Sequence, residues 1–240
     1  GPEAILPYSY AGTMGIIQRN AGHPFFHRMG ASLLERGICS PAKGAGWDAI
    51  MGNTPAPHPD GVLNSDLVIL WSSNAAATNI HFLHNVKQAK KRGAQVWVID
   101  LYRHQTAAIA DRTFLVKPGS DGALALGMMN ILVRDQLCDL SFIARQVQGF
   151  EEFQTKILPD YTPEVVSRIC GLPAVIIEEM ARSFGQARAP FISIGGGISR
   201  YTNGAMSVRS IVALPALVGA WGTEGGGCFV GTSTGAAFDM

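Results

Sequence analysis

The sequence has few charged residues and no block of one sign. Only 15% of its 240 residues are Asp, Glu, Lys or Arg, and the formal net charge at pH 7 is +1. Because nucleic acids and anionic lipids attract clusters of Lys and Arg, this even spread of charge argues against both partners. The apolar stretches are too short for a membrane span, and the first residues lack a signal-peptide layout. We expect a soluble protein of prokaryotic type without direct membrane insertion, cytoplasmic or periplasmic, with the compartment left open.

Paired cysteines and the common hydrolase motifs are also missing. The four cysteines, Cys39, Cys138, Cys170 and Cys228, lie far apart, and none has C-x-x-C spacing. A zinc or iron–sulfur site built from this chain alone is therefore not expected. No G-x-S-x-G elbow, P-loop or H-E-x-x-H motif occurs, so hydrolase and phosphotransferase functions have no support.

The sequence is rich in apolar residues and in residues that favour turns. Hydrophobic residues make up 47% of the chain, and 28 glycines and 13 prolines are scattered along it. This composition is enough for a large buried core and predicts tight connections between short regular elements. It is typical of α/β architecture.

Short apolar runs alternate with segments of helical spacing in the middle of the chain. Residues 66–71, 94–99 and 113–116 have strand length, and residues 80–92 between the first two have the spacing of a helix. Strand, helix and strand in this order predict right-handed crossovers and a parallel sheet. The further predictions are helices over 122–136, 140–147, 163–169, 173–187 and 205–218, and a strand over 190–194.

Small and polar residues follow the carboxyl ends of the predicted strands. Ligands of open parallel sheets bind beyond these ends, where loops vary and helix amino-termini face anions. Taken singly, each of these residues also suits a helix cap or a turn. Together they predict a nucleotide site, with small residues beside phosphate and carboxylates for ribose or guanine donors. The residues are Ser72, Ser73, Asn74, Thr78, Asp100, Arg103, Gln105, Ser120, Asp121 and Gly195 to Gly197.

Six segments, in their order along the chain, carry a family resemblance. They are Pro7 to Gly15, Ile38 to Ser40, Asp66 to Asn74 with Thr78, Val98 to Asp100 with Arg103, Pro118 to Asp121, and Gly204 to Gly227. Together they resemble the molybdopterin oxidoreductases, a family that includes dimethyl sulfoxide reductases, formate dehydrogenases and periplasmic nitrate reductases. The similarity extends over essentially the whole chain, which makes it more specific than any single motif.

The resemblance implies an α/β fold of two Rossmann-like three-layer lobes with parallel sheets. Residues 1–38 and 190–240 would form one lobe that is discontinuous in sequence, and residues 39–189 would form an inserted, dinucleotide-binding-like lobe. Both ends of the chain look truncated. The family's iron–sulfur segment, with its 4Fe-4S cluster, would precede the chain, and a cofactor-binding barrel would follow it. We therefore expect the isolated chain to bind cofactor weakly or not at all and to be inactive.

The resemblance also implies a cofactor, molybdenum or tungsten bis(molybdopterin guanine dinucleotide), and a site for it. Cys39 falls where the family supplies the metal ligand, and Gly46 follows at the family's usual distance. A thiolate suits this metal, with Ser40 as the neighbouring alternative ligand and a buried, non-ligating Cys39 as the other alternative. The implied cofactor-binding residues are Asn74 and Thr78 for pterin or phosphate, Arg103 for phosphate, Asp100, Ser120 and Asp121 for the nucleotide, and Gly195, Gly196, Gly197 and Tyr201 along the cleft.

The implied activity is a two-electron or oxygen-atom transfer on a small-molecule substrate, with an iron–sulfur subunit as the electron-transfer partner. Two other functions stay open at this point. One is a nucleotide-binding α/β module without redox chemistry, such as the central domain of a thiamine-diphosphate enzyme. The other is a structural subunit that kept the fold and lost the site.

Overall fold

The strands of the molecule form one parallel sheet. The computed structural model describes residues 1–9, 18, 21–35, 37, 40–52 and 54–231. Its strands are β1 (Leu67–Trp71), β2 (Gln95–Asp100), β3 (Arg112–Leu115), β4 (Pro190–Ile194) and β5 (Gly227–Phe229). They lie in the order β3-β2-β1-β4-β5, and every neighbouring pair is parallel. The carboxyl ends of β1, β2 and β4 therefore meet at one edge of the sheet.

Helices connect these strands and cover the sheet. Several begin where the sequence supplies a cap: Asn79, Asp139 and Thr162 each accept a hydrogen bond from a backbone N–H of the first turn. Within the described residues, no helix is long and apolar enough to cross a membrane. The α-helices are α1 (His23–Met29), α2 (Ser40–Met51), α3 (Ala75–Thr78), α4 (Ile80–Lys91), α5 (Asp121–Arg134), α6 (Leu140–Gln146), α7 (Phe150–Lys156), α8 (Pro163–Cys170), α9 (Ala174–Gln186) and α10 (Gly204–Leu217).

The sheet is buried on both faces, which explains why its strands are continuously apolar. In β1, Ile69 and Trp71 pack into the larger core with α5, α9 and α10, whereas Val68 and Leu70 pack into a smaller core with α4. All five residues of β1 are buried. The alternation of side chains along a strand thus feeds two cores and produces three layers, helix, sheet and helix.

The direction of chain travel reverses between β1 and β4. The chain moves from β1 to β2 and β3 on one side of the sheet, and then returns across β1 to reach β4 and β5 on the other. Because parallel crossovers are right-handed, α4 lies on one face while α5 to α10 pack on the opposite face. The loops after β1 and β4 consequently leave the sheet toward opposite faces. Open parallel sheets form a ligand-binding crevice at such a point, so we expect one between these two loops.

The predicted α/β class and parallel sheet are confirmed, and the predicted strands and helices lie within two residues of the observed ones. Five of the described helices and strands were not predicted: α1, α2, α3, α7 and β5. Within the described residues, β4 pairs directly with β1, so strands from both sides of the proposed boundary at residues 189 and 190 share one sheet. The predicted division into a lobe of residues 1–38 and 190–240 and a lobe of residues 39–189 stays a prediction.

Helix α2 lies against α10 at a glycine. A side-chain carbon at Gly46 would overlap with the carbonyl oxygen of Ala205 and would lie 2.9 Å from the Cβ atom of Val208. Gly44, two residues earlier on the same helix, has nothing within 4 Å of the same position. The absence of a side chain at Gly46 therefore sets how closely α2 approaches α10.

We expect Gly46→Ala to lower the free energy of unfolding by about 1–3 kcal/mol, because the contact is with backbone that cannot move aside. Gly44→Ala is the matched control and should raise the free energy of unfolding by about 0.5–1 kcal/mol, since Ala favours the helix. Urea denaturation of both variants measures the difference. Equal stabilities would contradict the close packing of α2 on α10.

Candidate functional site

The base of the crevice is a close backbone contact between the loops after β1 and β4. The backbone N–H of Gly195 donates to the carbonyl oxygen of Trp71 at 2.8 Å. A side chain at Gly195 would overlap with the carbonyl oxygen of Ser72, so only glycine fits there. Ser72 itself has a φ of 50°, a left-handed conformation that is uncommon for a residue other than glycine. The two loops are thus tied together where they begin to diverge.

The next two glycines form a turn that is open on its outer side. Gly196 and Gly197 are exposed, and nothing lies within 4 Å of where their side chains would be. The turn is held from within the protein, because the hydroxyl of Ser199 donates to the carbonyl oxygen of Gly196 at 3.0 Å. Arg200 N–H likewise donates to the carbonyl oxygen of Gly197 at 3.1 Å. A ligand can therefore approach this backbone closely.

Asp100, at the end of β2, is 8% exposed and holds two hydrogen bonds. Its Oδ1 accepts from the backbone N–H of Leu101 at 2.7 Å, and its Oδ2 lies 3.0 Å from Nε2 of His104. His104 is itself buried, with 3% of its side chain exposed. The Asp100 carboxylate, which the sequence predicted to bind a nucleotide, is therefore fixed in orientation at the carboxyl end of the sheet.

Asn74 is joined to Asp100 through Thr106. The hydroxyl of Thr106 donates to Oδ1 of Asn74 at 2.8 Å and accepts from the N–H of Ala76 at 3.0 Å. The N–H of Thr106 in turn donates to Nδ1 of His104 at 3.2 Å. Two residues predicted from the sequence, Asn74 and Asp100, are thus connected by two that were not, His104 and Thr106.

Asp121, after β3, is buried against the end of β1. It is 1% exposed, and its Oδ1 accepts a hydrogen bond from Nε1 of Trp71 at 2.8 Å. Burial raises the pKa of the Asp121 carboxyl, and the negative charge of Asp100 adds to this effect, while the bond from Trp71 opposes it. The contact fastens the first turn of α5 to β1. Whether this carboxyl also contacts a nucleotide stays a prediction.

The loops after β3 and β4 meet at Gly119 and Tyr201. Gly119 has a φ of 74°, and its missing side chain would lie 3.8 Å from the ring of Tyr201. The hydroxyl of Ser120 is turned inward and donates to the carbonyl oxygen of Lys117 at 2.6 Å. Tyr201 therefore lies at the β3 side of the β4 loop.

Three more of the predicted site residues lie farther out or outside the described part. Thr78 is exposed, and its hydroxyl donates to the carbonyl oxygen of Asn74 at 3.0 Å. Arg103 is exposed at the end of the β2 loop. Cys39 lies outside the described residues, directly before α2 in the sequence. The predicted roles of these three residues stay predictions.

The other three cysteines have the character of buried apolar residues. Burial raises the pKa of Cys138 to about 11, and it raises the pKa of Cys170 and Cys228 as well. A thiol that resists ionisation is a poor nucleophile and a poor metal ligand.

Comparisons with known proteins identify related chains. The family model described as Molybdopterin oxidoreductase matches residues 26–238. Probable oxidoreductase YoaE of Bacillus subtilis is 41% identical over 228 residues, which are 95% of this chain and 33% of that protein. Formate dehydrogenase H of Escherichia coli is 36% identical over 156 residues, which are 65% of this chain and 22% of that protein.

A solved structure has the same fold over most of the chain. Acetylene hydratase from Pelobacter acetylenicus matches with a TM-score of 0.67 at 25% identity, over 76% of this chain and 25% of that one. The chain thus spans about a third or less of the length of each of these relatives.

The raised pKa of Asp121 predicts how stability depends on pH. Above its ordinary value of 3.8, the unfolded chain has lost this proton while the folded chain still holds it, so stability falls as pH rises through the native pKa. Asp121→Asn cannot ionise and keeps an oxygen for Trp71. We expect its free energy of unfolding, relative to the natural chain, to increase as the pH rises from the ordinary value of 3.8 through the raised native pKa.

Urea denaturation at a series of pH values measures this difference. Asp48→Asn, which removes an exposed carboxyl on α2, serves as the matched control. A constant difference between Asp121→Asn and the natural chain across the pH range would contradict the cost of ionising this buried carboxyl.

Proposed function

Because the chain belongs to the molybdopterin oxidoreductase family, we propose that it is the central, cofactor-holding part of an enzyme that carries out two-electron or oxygen-atom transfer. Membership implies a molybdenum or tungsten pterin cofactor, and we propose that its form is the bis(molybdopterin guanine dinucleotide). The substrate is proposed to be a small molecule, and an iron–sulfur subunit is the proposed electron-transfer partner.

The topological switch point between β1 and β4, where open parallel sheets bind their ligands, is the observation that supports this proposal. The base of the expected crevice is closed by Gly195 against Ser72, and its mouth is open at Gly196 and Gly197. Asn74 and Asp100 flank it with an amide and a carboxylate. Glycine backbone beside amide and carboxylate groups is the set of contacts that a phosphate-linked nucleotide needs, so the residues present fit the cofactor.

Each side chain has a proposed task that follows from its surroundings. The Asp100 carboxylate accepts hydrogen bonds from ribose hydroxyls or guanine N–H groups, and the exposed Arg103 pairs with a phosphate. Asn74 and the Gly195–Gly197 turn bind and orient the pterin end, with Tyr201 alongside. Thr78, Ser120 and Asp121 already bond within the chain, and we propose that they shape the site and add contacts at its edge.

The metal ligand proposed for this chain is Cys39. It directly precedes α2, which Gly46 holds close to α10 beside the β4 loop. When bound, the cofactor supplies the redox-active metal, and the chain supplies binding, orientation and exclusion of water. Since the chain matches only 33% of the length of YoaE, we propose that these 240 residues by themselves hold cofactor weakly or not at all and are inactive.

The fold does not by itself determine the reaction. One structural neighbour is named a hydratase and one relative is named a formate dehydrogenase, so related chains host different chemistry. Retention of cofactor and turnover must therefore be tested separately. A structural subunit that lost the site would neither retain cofactor nor show turnover, whereas the proposed enzyme would do both.

The open turn predicts a variant that loses cofactor without losing stability. Gly196→Ala has room for its methyl group in the apo fold, yet that group points into open space at the crevice. In the full-length protein we expect molybdenum content to fall about tenfold, corresponding to about 1.4 kcal/mol of binding, with unchanged urea denaturation. Metal analysis and guanine nucleotide released by acid report the cofactor.

Gly61→Ala is the matched control, because it too has nothing within 4 Å and lies before β1, away from the carboxyl ends of the strands. It should retain cofactor fully. Full cofactor in Gly196→Ala would argue against the crevice as the binding site.

Cys39 is tested by turnover. We expect Cys39→Ala in the full-length protein to lower turnover about 100-fold or more, because the metal loses its protein thiolate. Cys138→Ala, which removes a half-buried thiol elsewhere, should keep full turnover. Unchanged turnover and metal content in Cys39→Ala would instead support the structural-subunit interpretation.

A further inference from the structure

A continuous chain of hydrogen bonds runs along the edge of the sheet where the carboxyl ends of the strands meet, from the end of β2 to the loop after β1. Its members in order are Asp100, His104, Thr106 and Asn74, and the three links measure 3.0, 3.2 and 2.8 Å. Thr106 is fully buried, and the His104 side chain is 3% exposed. Chains of buried hydrogen bonds fix the orientation of every member, because a broken link leaves a polar group unpaired.

The direction of each bond follows from one backbone N–H group. Thr106 N–H can only donate, so Nδ1 of His104 must accept and carries no hydrogen. The ring hydrogen is therefore on Nε2, which donates to Oδ2 of Asp100. In this tautomer the ring is neutral, and the negative charge of Asp100 is oriented without being cancelled.

The same reasoning sets the polarity of the two end groups. Asp100 receives a hydrogen bond on each oxygen, from Leu101 N–H and from His104, and its remaining lone pairs can only accept. Ala76 N–H donates to the Thr106 hydroxyl, which in turn donates to Asn74 Oδ1. In the structure the amide oxygen of Asn74 accepts that bond, so its Nδ2 group has two hydrogens to donate.

We propose that His104 and Thr106 are positioning residues, which fix Asp100 as an acceptor and Asn74 as a donor for one bound nucleotide. The ligand class that matches is a nucleotide whose hydroxyl or N–H groups face the β2 end and whose oxygen atoms face the β1 end. This inference rests on the proposed function, because it assigns these neighbours to the same crevice. His104 and Thr106 act through Asp100 and Asn74 and need not contact the nucleotide themselves.

Two amide substitutions separate this role from a purely structural one. Gln places its amide nitrogen near the position of Nε2 and can still donate to Asp100. Asn places its amide oxygen near the position of Nδ1 and can still accept from Thr106 N–H, but it does not reach Asp100. His104→Gln therefore keeps the hydrogen bond to the Asp100 carboxylate. His104→Asn keeps only the hydrogen bond from Thr106 N–H, which caps the turn at residues 105–109.

The test is calorimetric titration of guanosine diphosphate into the full-length apo protein, with thermal unfolding measured alongside. We expect His104→Gln to bind within about twofold of the natural protein and His104→Asn to bind about tenfold more weakly, as for loss of one hydrogen bond to a charged group. The reverse order, with His104→Asn binding normally and His104→Gln binding weakly, would overturn the proposal. Normal binding by both would overturn it too.

A second pair keeps the test decisive if both His104 variants unfold easily. Thr106→Ser retains the hydroxyl and should bind normally, whereas Thr106→Val removes it and should bind more weakly. Equal binding by the two would overturn the role of Thr106.

Asp100→Asn separates the positioning role of His104 and Thr106 from the proposed function. If Asp100→Asn weakens binding and His104→Asn does not, only the positioning role fails. If neither weakens binding, or the natural protein binds no guanosine diphosphate, the proposed function fails with it.

Discussion

The handedness of the crossovers is the constraint on which the rest of this molecule depends. Since both returns of the chain must be right-handed, reversing direction between β1 and β4 requires helices on opposite faces of the sheet. The loops after these strands must then part, and a crevice forms whatever the side chains are. The residues decide only how the crevice is lined. Glycine at 195 allows the loops to touch at its base, and the exposed glycines that follow leave its mouth open.

Polar groups beside the crevice are buried in pairs, and this pairing explains their rigidity. Asp121 with Trp71 fastens α5 to β1, and Asp100 with His104 fastens the β2 loop to its own strand. Transfer of a carboxylate from water into the protein interior costs on the order of several kcal/mol unless the carboxylate accepts hydrogen bonds there. Burial raises the pKa of Asp121, yet the structure keeps this group at the end of the sheet. Such a cost is more easily understood at a site that needs fixed polar groups than in a core that only needs packing.

The sequence predicted the elements with strong periodicity and missed those stabilised by packing. The strand at 190–194 has the predicted bounds because its residues are apolar and punctuated by proline and glycine. Helix α2 was missed because Gly44 and Gly46 weaken its helical signal, and its stability comes from contact with α10. Strand β5 has three residues, one of them glycine, which is too short for a pattern to emerge. Asp100 and Asn74 were predicted from their places after strands. His104 was missed because its role requires the 101–105 loop to curl back, and spacing alone does not specify that conformation.

The distribution of small residues separates what the fold requires from what a ligand requires. Gly46 and Gly195 each face backbone oxygen, and a side chain there would collide with the protein itself. Gly196 and Gly197 face open space, and neither needs a left-handed φ, so folding alone gives no reason for glycine at either position. An unexplained pair of glycines at the mouth of a switch-point crevice calls for something outside the chain that approaches the backbone closely. The pterin nucleotide proposed above meets that description, and a ligand at this place would also account for the fixed orientation of the neighbouring polar groups, which lie buried at the carboxyl end of the sheet.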